Sequence, residues 1–130
     1  MAYNVLVVDD SAVTRKVVKR AISMSGLDLG AIHEAPDGQE ALALLDSEWI
    51  DIVFTDLNMP KMGGVELVGH IMDSEAHRKT PVVVITSSRN EERLESLMAQ
   101  GIKAWIKKPF RPEAVREVVG KLMGDLRGGV

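Results

Sequence analysis

Val5-Leu6-Val7-Val8-Asp9-Asp10 decides the fold: an unbroken apolar run that ends on two acids. Two more runs share its form. Ile50-Asp51-Ile52-Val53-Phe54-Thr55 leads into Asp56, and Ala104-Trp105-Ile106-Lys107 leads into Lys108-Pro109. Short apolar runs of this kind read as strands buried on both faces, the habit of parallel sheets. In an open parallel α/β sheet the C-terminal strand ends line one crevice, and ligands bind there. The chain is therefore expected to bring Asp9, Asp10, Asp56 and Lys108 to one place. Unit like charges about 4 Å apart repel by roughly 4 kcal/mol at an effective dielectric near 20. Three clustered carboxylates suit a hard divalent cation, and Mg²⁺ is the natural candidate.

Outward from these runs, helix signals alternate with strand signals. Ser11 can cap a helix that runs to about Ser25 and stops at Gly26. Val13, Val17, Val18, Ala21 and Ile22 are expected on its buried face. A weaker strand covers about Leu29 to Ala35, and Pro36-Asp37-Gly38 is a turn signal. Gln39 to Glu48 reads as a short helix with Ala41, Leu42 and Leu45 inward. The third strand is expected over Ile50 to Thr55. Asn58-Met59-Pro60-Lys61-Met62-Gly63-Gly64 reads as a loop. Val65 to about Glu75 is expected to be helical. Pro81 opens a fourth strand, Val82 to Thr86. A helix follows over about Asn90 to Gln100, ended by Gly101. The fifth strand is Ala104 to Lys107. Pro112 suits the first position of the last helix, with Val115, Val118, Val119, Leu122 and Leu126 inward. Residues 127–130 are expected to fray. Five strands alternating with five helices argue an α/β, doubly wound parallel sheet.

Bulk properties narrow the function. The 130 residues fit one domain, spanning residues 1–130 with its core at about 3–126. A net charge of −3 argues against steering toward nucleic acid or an anionic membrane. The chain has no cysteine, which excludes disulfides and thiolate zinc sites. The first strand begins too early for a secretory leader, and the apolar runs fall far short of the ~20 residues of a membrane span. A cytoplasmic protein is expected.

Taken together, these motifs resemble the receiver domain of two-component response regulators, in its stand-alone, chemotaxis-regulator form. The resemblance covers about residues 3 to 126. It is carried by Asp9-Asp10, Asp56, the Asn58-Met59-Pro60 to Gly63-Gly64 loop, Thr86, and Lys108-Pro109-Phe110. Each motif alone is weak; their order, each after its own strand, is specific. The resemblance implies the flavodoxin-like strand order 2-1-3-4-5. It implies that a sensor histidine kinase or phosphotransfer protein passes a phosphoryl group to Asp56. Mg²⁺ would be held by Asp9, Asp10, Asp56 and the backbone carbonyl of Asn58, with Asp10 a direct ligand and Asp9 acting largely through water. Thr86 and Lys108 would contact phosphoryl oxygens. Thr86 and Trp105 would form the switch that changes a surface read by a downstream protein, as a monomer or a phosphorylation-dependent dimer. No turnover of an external substrate is implied, only slow loss of its own phosphoryl group.

The chemistry fits these residue types. Phosphoryl transfer needs in-line positioning and neutralisation of oxygens. Asp56 is the nucleophile, Lys108 a point charge that can also pair with Asp56 before reaction, and the Thr86 hydroxyl a donor. Pro109 suggests a cis peptide that aims Lys108. Two features depart from the usual pattern. Trp105 is larger than the common Tyr or Phe, and Ser87 stands where Ala or Gly is usual. Asn58 and Ser88 flank the site and are expected to tune the phosphoryl lifetime.

Each residue also has a plainer reading. Asp9-Asp10 suits any helix N-terminus. Asp56 alone is a turn aspartate, Lys108 alone a solvated charge, and Trp105 alone a packing residue. Asp28, Asp37 and Asp51 read as solvated acids away from the crevice. His70 and His77 lie seven apart on one expected helix and read, with His33, as surface histidines. Arg15-Lys16 with Lys19-Arg20 gives the first helix a basic face, either simply solvated or a kinase docking patch. Three other functions compete with a complete signalling receiver. A DNA-binding output domain could follow in a longer regulator. An aspartate-nucleophile phosphohydrolase would need an acid two residues after Asp56, where Asn58 stands. A flavin carrier would need a phosphate cradle after the first strand, where Asp9 and Asp10 repel phosphate.

Overall fold

A computed structural model describes residues 2–87 and 89–126, and gives the backbone alone for 123–126. Its elements are β1 (Tyr3–Val8), α1 (Ala12–Ser23), β2 (Leu29–Ala35), α2 (Gly38–Ser47) and β3 (Ile52–Thr55), followed by α3 (Gly64–Asp73), β4 (Val82–Thr86), α4 (Glu91–Gln100), β5 (Ala104–Lys107) and α5 (Pro112–Leu126). The strands form one sheet in the order β2-β1-β3-β4-β5. Every neighbouring pair is parallel. The doubly wound architecture and the strand order match the sequence reading.

The period-two alternation of β1 shows why both faces are apolar. Leu6 and Val8 join Val53, Val82 and Val84 under α2, α3 and α4. Val5 and Val7 join Ile52, Phe54, Val83 and Ile85 under α1 and α5. Each successive residue has its own core, so the run has no polar position until the strand ends at Asp9.

The structure corrects several local expectations. Val13 and Val17 of α1 are 73% and 52% exposed, while Val18, Ala21 and Ile22 are buried. At about 100° per residue, Val17 and Val13 fall roughly 90° and 130° around the helix from the centre of the stripe that Val18, Ala21 and Ile22 define, and so turn away from the sheet. β3 begins at Ile52 rather than Ile50, because Asp51 turns to accept the Asn4 N–H at 2.7 Å and the Trp49 indole N–H at 2.9 Å. Asp51 is therefore half-buried rather than solvated. Asp37 is buried too, since its carboxylate caps α2 by accepting the Glu40 N–H at 3.0 Å. α3 ends at Asp73, so His77 lies in the turn beyond it. There its Nε2 sits 2.9 Å from Asp46 Oδ1. The expectations for the Ser88 and Leu126 side chains and for residues 127–130 lie outside the described residues.

Candidate functional site

The crevice is built from the strand ends up. β1 and β3 are neighbours, so the residues that leave them, Asp9 and Asp56, emerge side by side, and the Asp56 N–H donates to Val8 O at 2.9 Å. β5 lies two strands away, and its Lys108 N–H donates to Thr86 O at 2.9 Å, which anchors the lysine beside β4. The Lys108–Pro109 peptide is cis. Carboxylate oxygens of Asp9, Asp10 and Asp56 all lie within 4.8 Å of one another. Asp9 is buried, Asp56 half-buried and Asp10 exposed.

Asp9 is held on every polar atom. Its N–H donates to Ala35 O at 3.1 Å, and its carbonyl accepts from Arg15 Nη1 at 2.6 Å. Its Oδ1 accepts the Ser11 N–H at 2.9 Å and its Oδ2 accepts from Lys108 Nζ at 3.0 Å. Asp56 accepts the Leu57 N–H at 2.7 Å on Oδ1 and lies 3.5 Å from Lys108 Nζ through Oδ2. The Lys108 ammonium thus lies against two of the three carboxylates. This all-oxygen, anionic donor set fits a hard divalent cation.

The loop after Asp56 is fixed by backbone. Gly64 N–H donates to Leu57 O at 2.9 Å. A Cβ on Gly64 would overlap the Asp56 carbonyl and stand 2.8 Å from Leu57 Cα, so only glycine fits there. Gly38 N–H donates to Met62 O at 2.9 Å and ties the same loop to α2. Asn58 is exposed in this loop. Thr86 is fully buried at the end of β4. Trp105 is half-buried on β5 and packs against the α2–α4 core, three residues before Lys108.

Sequence reasoning missed one contributor. Arg15 and Lys19 do not form a free basic face: Arg15 Nε and Lys19 Nζ each lie 3.0 Å from a Glu34 carboxylate oxygen. The Lys19 bond has the largest effect on the Glu34 carboxyl; burial opposes it, and the Arg15 bond with the two positive charges leaves the group below its ordinary value. The available signal was an arginine four residues after the Ser11 cap, one turn above Asp9.

Comparison with known proteins agrees with this architecture. The sequence model of the response regulator receiver domain matches residues 5–120. A chemotaxis protein CheY homolog of Campylobacter jejuni is 32% identical over 124 residues, covering 95% of this chain and 94% of the relative. CheY-3 of Vibrio cholerae is 33% identical over 122 residues, 94% of this chain and 92% of its own. Among solved structures, Vibrio cholerae CheY4 superposes with a TM-score of 0.81 at 30% identity, covering 93% of this chain and 98% of its own. The CheX–CheY complex of Borrelia burgdorferi with BeF3 and Mg²⁺ contains a chain that matches with a TM-score of 0.85 at 30% identity, covering 93% of this chain and 89% of that one. Sheet order, acidic crevice and these likenesses agree: the chain belongs to the receiver domains of CheY-type response regulators, a family whose typical role is to accept a phosphoryl group.

Proposed function

We propose that Asp56 is the phosphoryl acceptor of this receiver, and that Asp9, Asp10, Asp56 and the backbone carbonyl of Asn58 hold Mg²⁺ beside it. The observation that carries this reading is the convergence of three carboxylates within 4.8 Å, with Lys108 reaching both Asp9 and Asp56. Held by these residues, Mg²⁺ would supply positive charge against the transferring phosphoryl oxygens. Asp10, the exposed acid of the cluster, would be a direct ligand, as in the family. Asp9, the most buried of the three and bonded to Ser11 N–H and Lys108, would act largely through water, as in the family.

An Asp56 carboxylate oxygen attacks phosphorus in line. A P–O bond forms as the P–N bond to a kinase or carrier histidine breaks, and the histidine nitrogen keeps the electron pair. Lys108 is close enough to shift from carboxylate to phosphoryl oxygen. The Thr86 hydroxyl donates to a second phosphoryl oxygen, and Trp105 packing follows the move of Thr86. The donor is a sensor histidine kinase or phosphotransfer protein of the cytoplasm, met at α1, where Val13 and Val17 stand exposed beside Lys16 and Arg20. A downstream protein reads the altered surface, and no external substrate is turned over. The Asn58 amide is too weakly acidic to protonate a leaving group, which favours a switch over a hydrolase.

Acetyl phosphate plus Mg²⁺ tests this directly. Intact mass should show one added phosphoryl group, absent when Mg²⁺ is chelated before the donor is added and absent in Asp56→Asn. An adduct that survives Asp56→Asn overturns the assignment.

A further inference from the structure

Resting on the reading of Asp9, Asp10 and Asp56 as the metal and phosphoryl site, we infer that Arg15 is a positioning residue for that site, braced by Glu34. Arg15 belongs to α1 and touches none of the three carboxylates through a described bond. Its Nη1 donates to the Asp9 carbonyl at 2.6 Å while its Nε donates to Glu34 Oε1 at 3.0 Å. The guanidinium side chain is only 16% exposed. A planar fork can hold two acceptors in fixed relation, which a lysine ammonium on a flexible stem cannot. One arm therefore fixes the peptide that joins the two candidate metal acids, and the other is pinned to β2.

The brace is itself held. Lys19 Nζ reaches the second Glu34 oxygen at 3.0 Å, so two cations of α1 grip one carboxylate of β2. Asp9 already donates its N–H to the carbonyl of the next residue along that strand, Ala35. The turn from β1 into α1 is thus suspended between β2 and α1, and the directions of Asp9 and Asp10 follow from it. Side chains that orient metal-binding groups without touching the metal commonly influence affinity strongly.

Charge and geometry predict opposite signs. If Arg15 acted only as a nearby cation, removing it would tighten Mg²⁺ binding, and Arg15→Lys would change nothing. If it positions the Asp9 peptide, both Arg15→Ala and Arg15→Lys weaken Mg²⁺ binding.

The test is Mg²⁺ affinity by calorimetry, together with the rate of phosphoryl uptake from acetyl phosphate, on the full chain. Folding is checked by circular dichroism. Arg15→Lys and Arg15→Ala should each raise the Mg²⁺ Kd about threefold to tenfold, the range of one lost hydrogen bond. At saturating Mg²⁺ the uptake rate should recover most of its wild-type value. Glu34→Ala should weaken Mg²⁺ less, and add little on top of Arg15→Ala, because both act through one contact. Tighter binding in Arg15→Ala, or a fall in melting temperature with unchanged Mg²⁺ Kd, overturns the inference. If the wild type binds no Mg²⁺ and takes up no phosphoryl group, the underlying reading fails instead.

Discussion

Lys108 Nζ stands 3.0 Å from Asp9 Oδ2 and 3.5 Å from Asp56 Oδ2, so the lysine grips the more buried acid more closely than the proposed nucleophile. The two acid side chains are 6% and 12% exposed, respectively. The ammonium therefore occupies the anionic crevice that a divalent cation would share. The Asp56 contact is the looser one and the easier to give up.

Lys108→Ala removes that competing cation. Mg²⁺ should bind about threefold to tenfold tighter, corresponding to roughly 1 kcal/mol. Asp9 and Asp56 then lack their cation in the absence of metal, so the rise in melting temperature on adding Mg²⁺ should exceed that of the wild type. Calorimetry and thermal melts with and without Mg²⁺ measure both effects. Weaker Mg²⁺ binding in this variant would contradict the competition.

Gly64 and Gly69 lie in one helix and should respond with opposite signs. Gly64→Ala drives a Cβ into the backbone of Asp56 and Leu57, and should cost about 1–3 kcal/mol or more. Gly69→Ala meets open space within α3 and should stabilise by about 0.4–1 kcal/mol. Urea denaturation midpoints at constant slope distinguish the two.

Glu34 should leave a small acid-limb signature. Its carboxyl is held below the ordinary value in the folded chain, first by the Lys19 bond and then by Arg15. A depressed folded value means the contribution is fully present above the unfolded pKa of about 4.3 and fades as pH falls through the folded one. Glu34 and Lys19, the dominant partner, are 36% and 35% exposed, so less than about 1 kcal/mol is at stake. Glu34→Gln should lower stability at pH 7 and match the wild type at strongly acidic pH. An equal deficit at both pH values would refute the ionic origin.

The two tryptophans should report differently. Trp49 is 78% exposed after α2 and bonded to Asp51, remote from the acidic crevice, whereas Trp105 packs on the core three residues before Lys108. Emission changes on adding Mg²⁺ or beryllofluoride should vanish in Trp105→Phe and persist in Trp49→Phe. The reverse pattern would remove Trp105 from the switch.

Legibility in the sequence followed locality. The spans of β2, β4, β5 and α5 were readable because apolar period, proline and glycine mark their ends within a few residues. The meeting of Asp9, Asp10, Asp56 and Lys108 was readable because parallel strands present the same ends together. Val13 and Val17 were misread because five apolar residues were assigned to one helical face, while the buried stripe is centred on Val18, Ala21 and Ile22 and leaves the other two on its flank. Asp37 and Asp51 looked solvated because composition does not reveal that a helix N-terminus or a neighbouring strand supplies N–H donors. The Arg15–Asp9 contact depends on how α1 leans over β2, an angle that no local pattern records.

The exposed valines of α1 carry a calorimetric consequence. Val13 and Val17 meet water in the isolated molecule, and Met24 adds to the same helix at its C-terminal cap. Any protein that seats itself on this helix strips hydration from hydrocarbon. Association there must show a negative heat-capacity change, with an enthalpy that grows more exothermic on warming. A partner that engages only Lys16 and Arg20 would instead lose affinity steeply with added salt.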